Sequence, residues 1–68
     1  MTRSEANHLI ARCCLEYPSL APIINHECER DGRRRRLSKS LECQLPETVY
    51  GELLRAVRIY RRYRRLAR

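Results

Sequence analysis

A chain of 68 residues holds at most one small domain, and a domain of that size buries so little surface that its core is marginal. Apolar residues make up 43%, which excludes a fully disordered chain, but Phe and Trp are absent, so core volume must come from Leu, Ile, Val, Tyr and Cys. The net charge of +7 is unevenly spread: residues 1–32 carry three arginines against five acidic side chains, a net of −2, and residues 33–68 carry twelve basic and three acidic ones, a net of +9.

That asymmetry points to a polyanionic partner, DNA or RNA first and an acidic protein surface second. Lys39 is the one lysine among the 15 basic residues. Arginine offers a planar fork that suits phosphate, carboxylate and base edges. No membrane partner is expected, because only Tyr60, Tyr63 and Leu66 supply apolar bulk beneath the basic residues. The opening MTRSEANHLIARCC lacks the apolar run of a signal peptide, and no stretch is long enough to span a bilayer. A cytoplasmic location with reduced thiols follows as the expectation.

Along the chain, Thr2 and Glu5 have the spacing of a capping box, in which each side chain satisfies a backbone donor at a helix start. Ala6, Leu9, Ile10, Cys13, Cys14 and Tyr17 recur at helical spacing until Pro18 stops the run. The first helix is predicted at about residues 3–16. A second, at about 20–31, starts after Ser19 with Pro22 in its first turn. Leu20, Ile23, Ile24 and Cys28 form its apolar stripe, His26, Glu27, Glu29 and Arg30 face elsewhere, and Asp31-Gly32 reads as its stop. Residues 32–46 form a basic connector, in which Arg33, Arg34, Arg35 and Arg36 repel one another and Leu37, Leu41, Cys43 and Leu45 can pin the chain down. Ser40 to Cys43 has room for one helical turn.

A long third helix is predicted over about 47–67, with Glu47 at its positive end and Gly51 inside it, where glycine costs about 1 kcal/mol relative to alanine. Gly51 is read as permitting a close helix crossing or as merely tolerated. From Arg55 onward this helix holds seven arginines and no acidic residue. Val49, Leu53, Ala56, Tyr60, Tyr63 and Ala67 follow one another at alternating gaps of four and three, the seam of a coiled coil. Arg55, Arg58, Arg62 and Arg65 line the opposite side, with Arg61 beside them. The first half is expected to dock on the other helices, and the second half to project or to pair with a second copy. Tyr60 and Tyr63 among arginines have the pattern that stacks on unpaired bases.

Cys13, Cys28, Cys43 and His26 are enough ligands for one tetrahedral zinc, although no C-x₂-C knuckle is present. The competing reading makes the cysteines small core residues. No glycine-rich phosphate loop and no catalytic constellation appears, so an enzyme is not expected. The connector is too long for a helix-turn-helix, which favours general affinity for nucleic acid over base readout.

The sequence therefore predicts an all-α domain of three helices over residues 1–68, dimerising through the long basic helix. It predicts a nucleic-acid-binding regulatory protein using Arg33–Arg36, Arg55, Arg58, Arg61, Arg62 and Arg65. The alternative is a small modulator of the phage or mobile-element type that docks on a larger protein.

Overall fold

The computed structural model describes residues 1–30 and 36–66, with no side chain described for Arg65. All regular structure among the described residues is helical. Helix α1 spans Arg3–Glu16, as the sequence predicts. Its capping box is formed in both directions: the Glu5 N–H donates to Thr2 Oγ1 (3.2 Å) and the Thr2 N–H donates to Glu5 Oε1 (3.1 Å). These bonds hold the Glu5 carboxyl below its ordinary range. At the other end the Tyr17 N–H donates to the Cys13 carbonyl, and Pro18 then forces a new direction.

Pro18–Leu20 form a 3₁₀ turn that runs directly into α2, Ala21–Glu29. This second helix ends earlier than expected. Arg30 is already extended (φ −66°, ψ 126°), and the predicted stop at Asp31-Gly32 lies outside the described residues. A further helix, α3, spans Lys39–Gln44, so the described residues hold four α-helices where three were expected. The physical reason is burial. Leu37, Leu41 and Leu45 all enter the core, which gives the helical turn allowed at Ser40–Cys43 a surface to fold against. Helix α4 spans Glu47–Leu66, and the carbonyl of Pro46 accepts its first bond, from the Tyr50 N–H. No helix among the described residues is long and apolar enough to cross a membrane.

Helices α1 and α4 share the largest contact in the molecule. They run antiparallel, with Arg3 beside Tyr63. The turn at Pro18 sends α2 back along α4, so that its last residues meet Arg61 and Arg64. Helix α3 crosses the start of α4, where the Leu37 N–H donates to the Tyr50 hydroxyl (3.3 Å). Twenty residues of α4 are about 30 Å long, close to the 32 Å long axis of the molecule. The core is built from Ala6, Ile10 and Cys13 of α1, Leu20, Ile24, Cys28, the three leucines around α3, and Leu53, Ala56 and Val57 of α4.

This arrangement gives most of the predicted seam a neighbour inside the chain. Leu53 and Ala56 are fully buried and Val49 and Tyr60 half-buried inside the chain's own core, and α1 covers the seam they form. The 4-3 spacing requires an apolar neighbour, and the first helix of the same chain is that neighbour. Tyr63 alone remains exposed, and Ala67 lies outside the described residues. The second half of α4 does not project, since it is packed as far as Arg64.

Gly51 does not serve a close crossing. A Cβ placed there meets nothing within 4 Å, and the residue has ordinary helical geometry. Gly51→Ala should therefore stabilise the fold by about 0.5–1 kcal/mol and raise Tm by about 2–8 °C. Urea titration and thermal melting followed by helical circular dichroism test this, and a lower midpoint would mean that the glycine is needed.

Candidate nucleic-acid interface

At 3.6 residues per turn, α4 divides into three strips. Leu53, Ala56, Val57 and Tyr60 point into the core. Arg55, Arg58 and Arg62 lie on the far side and are exposed. Between these strips, on the side facing α2, stands Arg61, and Arg64 continues the core strip one turn beyond Tyr60.

Arg61 is a buried residue, only 7% exposed, and does not belong to the basic surface predicted for it. Its Nε and Nη2 both donate to the Glu27 carbonyl, and Nη2 also reaches Glu27 Oε2 at 3.0 Å. Glu27 is 2% exposed, which corrects its expected solvent-facing position. Arg30 approaches the other carboxylate oxygen of Glu27 at 3.6 Å. Arg64 adds a bond from Nη1 to the Cys28 carbonyl (3.1 Å).

The cause lies in the end of α2. The last carbonyls of a helix lack intrahelical partners and carry its partial negative charge. Two arginines of α4 supply donors to two of those carbonyls, and Arg61 neutralises the one carboxylate drawn inside with them. The sequence carried a signal for this. Leu20, Ile24 and Glu27 are spaced by four and three, which puts Glu27 on the apolar stripe of α2, where a carboxylate needs a cation.

The three outward arginines stand differently. Among the described residues the ion pairs are those of Arg30 and Arg61 with Glu27, so Arg55, Arg58 and Arg62 have no carboxylate within 4.0 Å. With Met1 and Ile59 they surround a shallow depression of about 360 Å³. Arg36 is also exposed, immediately before the buried Leu37. Arg33, Arg34, Arg35 and the side chain of Arg65 lie outside the described residues. Of the two tyrosines, Tyr60 is half-buried and packs on the core, while Tyr63 is 40% exposed with the Arg3 guanidinium 5.5 Å from its ring centre.

The four residues predicted as zinc ligands are not gathered. Cys13 and Cys28 are buried, whereas Cys43 and His26 are exposed. Among the described residues no three His, Cys, Asp or Glu side chains come together as a metal site. All four cysteines are free thiols. Burial raises the thiols of Cys13 and Cys14, and pushes that of Cys28 up to about 11. Cys13 and Cys28 are thus small core residues.

No protein family, no curated protein and no solved structure matches this chain.

Arg61→Leu leaves a buried carboxylate without its cation and should cost about 3–5 kcal/mol. Glu27→Gln should cost less. The double variant should be more stable than the sum of the two losses implies, because the stranded charge is then absent. Chemical denaturation of the three variants measures this, and strict additivity would show that the two groups are not coupled.

The Cys28 thiol contributes stability that is complete below pH 9 and lost as pH rises towards 11, because the unfolded chain ionises more readily there. The urea midpoint of the wild type should fall across that window, and Cys28→Ala should show a shallower fall. An equal slope for both would remove Cys28 as the cause.

Proposed function

We propose that this chain binds nucleic acid, and that Arg55, Arg58 and Arg62 on the outer face of α4 make the phosphate contacts. One observation carries this. On the same helix, Arg61 and Arg64 are satisfied by acceptors inside the fold, whereas these three are exposed with no carboxylate near them among the described residues. Three guanidinium groups side by side repel one another, and a polyanion relieves that repulsion. The net charge of +7, concentrated in the second half of the chain, favours the same partner and draws it from a distance. Arg36 extends the basic surface beyond α4. The contacts of these three arginines are with phosphate rather than with base edges, so general affinity is expected of this face instead of sequence preference. Binding of this kind needs no second copy, since the seam of α4 is already covered by α1.

An acidic protein surface is the second reading, and a specific feature favours it. Met1 and Leu66 stand exposed on the same helix side as the arginines, and Leu66 is 72% exposed. Apolar groups set among arginines are the composition of protein interfaces. A small modulator of a larger protein would use such a surface.

Salt dependence separates the two. For duplex DNA, log affinity should fall linearly with log salt, and replacing Arg55, Arg58 and Arg62 together by Gln should make the slope shallower by about 2 to 3. Gln keeps helix propensity, so the fold should survive the change. Failure of duplex DNA, single-stranded DNA and RNA alike to bind at low salt would overturn the nucleic-acid assignment. Capture of a stoichiometric acidic protein that persists after nuclease treatment would favour the second one.

A further inference from the structure

We infer that the groove between the start of α1 and the end of α4, formed by Arg3, Asn7, Tyr60, Tyr63 and Arg64, seats one unpaired nucleotide, its base stacked on Tyr63 and its phosphate between Arg3 and Arg64. This inference rests on the nucleic-acid reading above and narrows it to single strands. The five residues line a concavity of about 200 Å³, below the range of pockets for drug-sized ligands and roomy enough for a single base. Its chemistry is selective. Two guanidinium groups, two phenols and one carboxamide line it, with no carboxylate and no aliphatic side chain. An anion with a flat polar body matches that lining. A bare phosphate would leave the phenols unused.

The geometry is prepared on both sides. Arg64 is held by its bond to the Cys28 carbonyl through Nη1 (3.1 Å), which fixes the side chain while other guanidinium donors remain. Arg3 rests 5.5 Å from the centre of the Tyr63 ring, so a planar group already occupies one face of that ring. Arg3 is exposed and makes no ion pair among the described residues, so it can swing aside or close over a base. Asn7 stands one turn after Arg3 on the same side of α1 and offers both donors and acceptors to a base edge. Tyr63 follows Arg62 directly, so a strand lying on the arginines of the outer face reaches the groove around the end of α4. A duplex keeps its bases stacked inward and cannot present one to Tyr63, whereas an unpaired strand can.

The test measures binding of labelled oligonucleotides of about 12 residues, oligo-dT, oligo-U and a duplex of the same length, to the full chain. The wild type should bind the single strands more tightly than the duplex, with quenching of tyrosine fluorescence. Tyr63→Leu should weaken single-strand binding about tenfold and leave duplex binding within about twofold. Tyr63→Phe, which keeps the ring, should retain wild-type binding. If Tyr63→Leu loses helical circular dichroism, Arg3→Gln on an exposed side chain carries the test, with a several-fold loss expected for single strands only. Unchanged single-strand affinity in these variants, equal losses on strand and duplex, or equal losses for Leu and Phe at position 63 would each overturn the nucleotide seat. If the duplex still binds with a steep salt slope in those cases, the phosphate-binding face stands without it. Absence of binding to every probe overturns both.

Discussion

The joint between Glu27 and Arg61 is the constraint on which the rest of the structure depends. A carboxylate 2% exposed is tolerable only beside a cation that also satisfies its neighbours. Arg61 does this with one planar fork, reaching both the side chain and the carbonyl of Glu27. The bond fixes the rotation of α4 about its own axis, because only one orientation brings position 61 to the end of α2. Arg64, one turn further within helical reach, repeats the bond to Cys28. Once that rotation is fixed, the remaining faces have no freedom. Leu53, Ala56 and Val57 must meet α1, and Arg55, Arg58 and Arg62 must face away.

A buried ion pair is weak as a source of net stability and strong as a source of uniqueness, since breaking it strands a charge. That suits a core made without Phe or Trp. Leucine, isoleucine and valine can pack in several registers at similar energy. A single directional contact selects one of them. The proposed function follows from the same selection. The described arginine side chains of α4 divide into Arg61 and Arg64, which bond to α2, and Arg55, Arg58 and Arg62, which face solvent, and composition alone cannot tell the two sets apart.

Much of the architecture could be read from the chain. Thr2, Glu5 and Pro18 bounded α1 correctly because caps and prolines act through local backbone chemistry. The apolar period of α4 correctly separated its outward arginines from its seam. The neighbour of the seam was not legible. Spacing shows that Leu53 and Ala56 need an apolar partner, and says nothing of whether that partner is α1 or a second chain. Helix α3 was missed as a full element because its burial comes from contacts distant in sequence. The charge of Arg61 predicts exposure, whereas the side chain is buried. Only the position of Glu27 on the apolar stripe of α2 announced a buried pair. The groove at Tyr63 was half readable: the tyrosine and its arginine neighbours are contiguous, but Arg3 and Asn7 arrive from the far end of the chain.

The division of the arginines also governs how the chain can diverge. At positions 55, 58 and 62 a lysine would keep the charge and the helix, so drift between the two cations there is nearly silent. At position 61 it would not be silent, because an ammonium has no second arm for the carbonyl that the guanidinium also holds. Positions 27 and 61 are therefore bound to change together or not at all. A diverged copy of this chain would be known by that linked pair before any likeness in the rest of its basic helix.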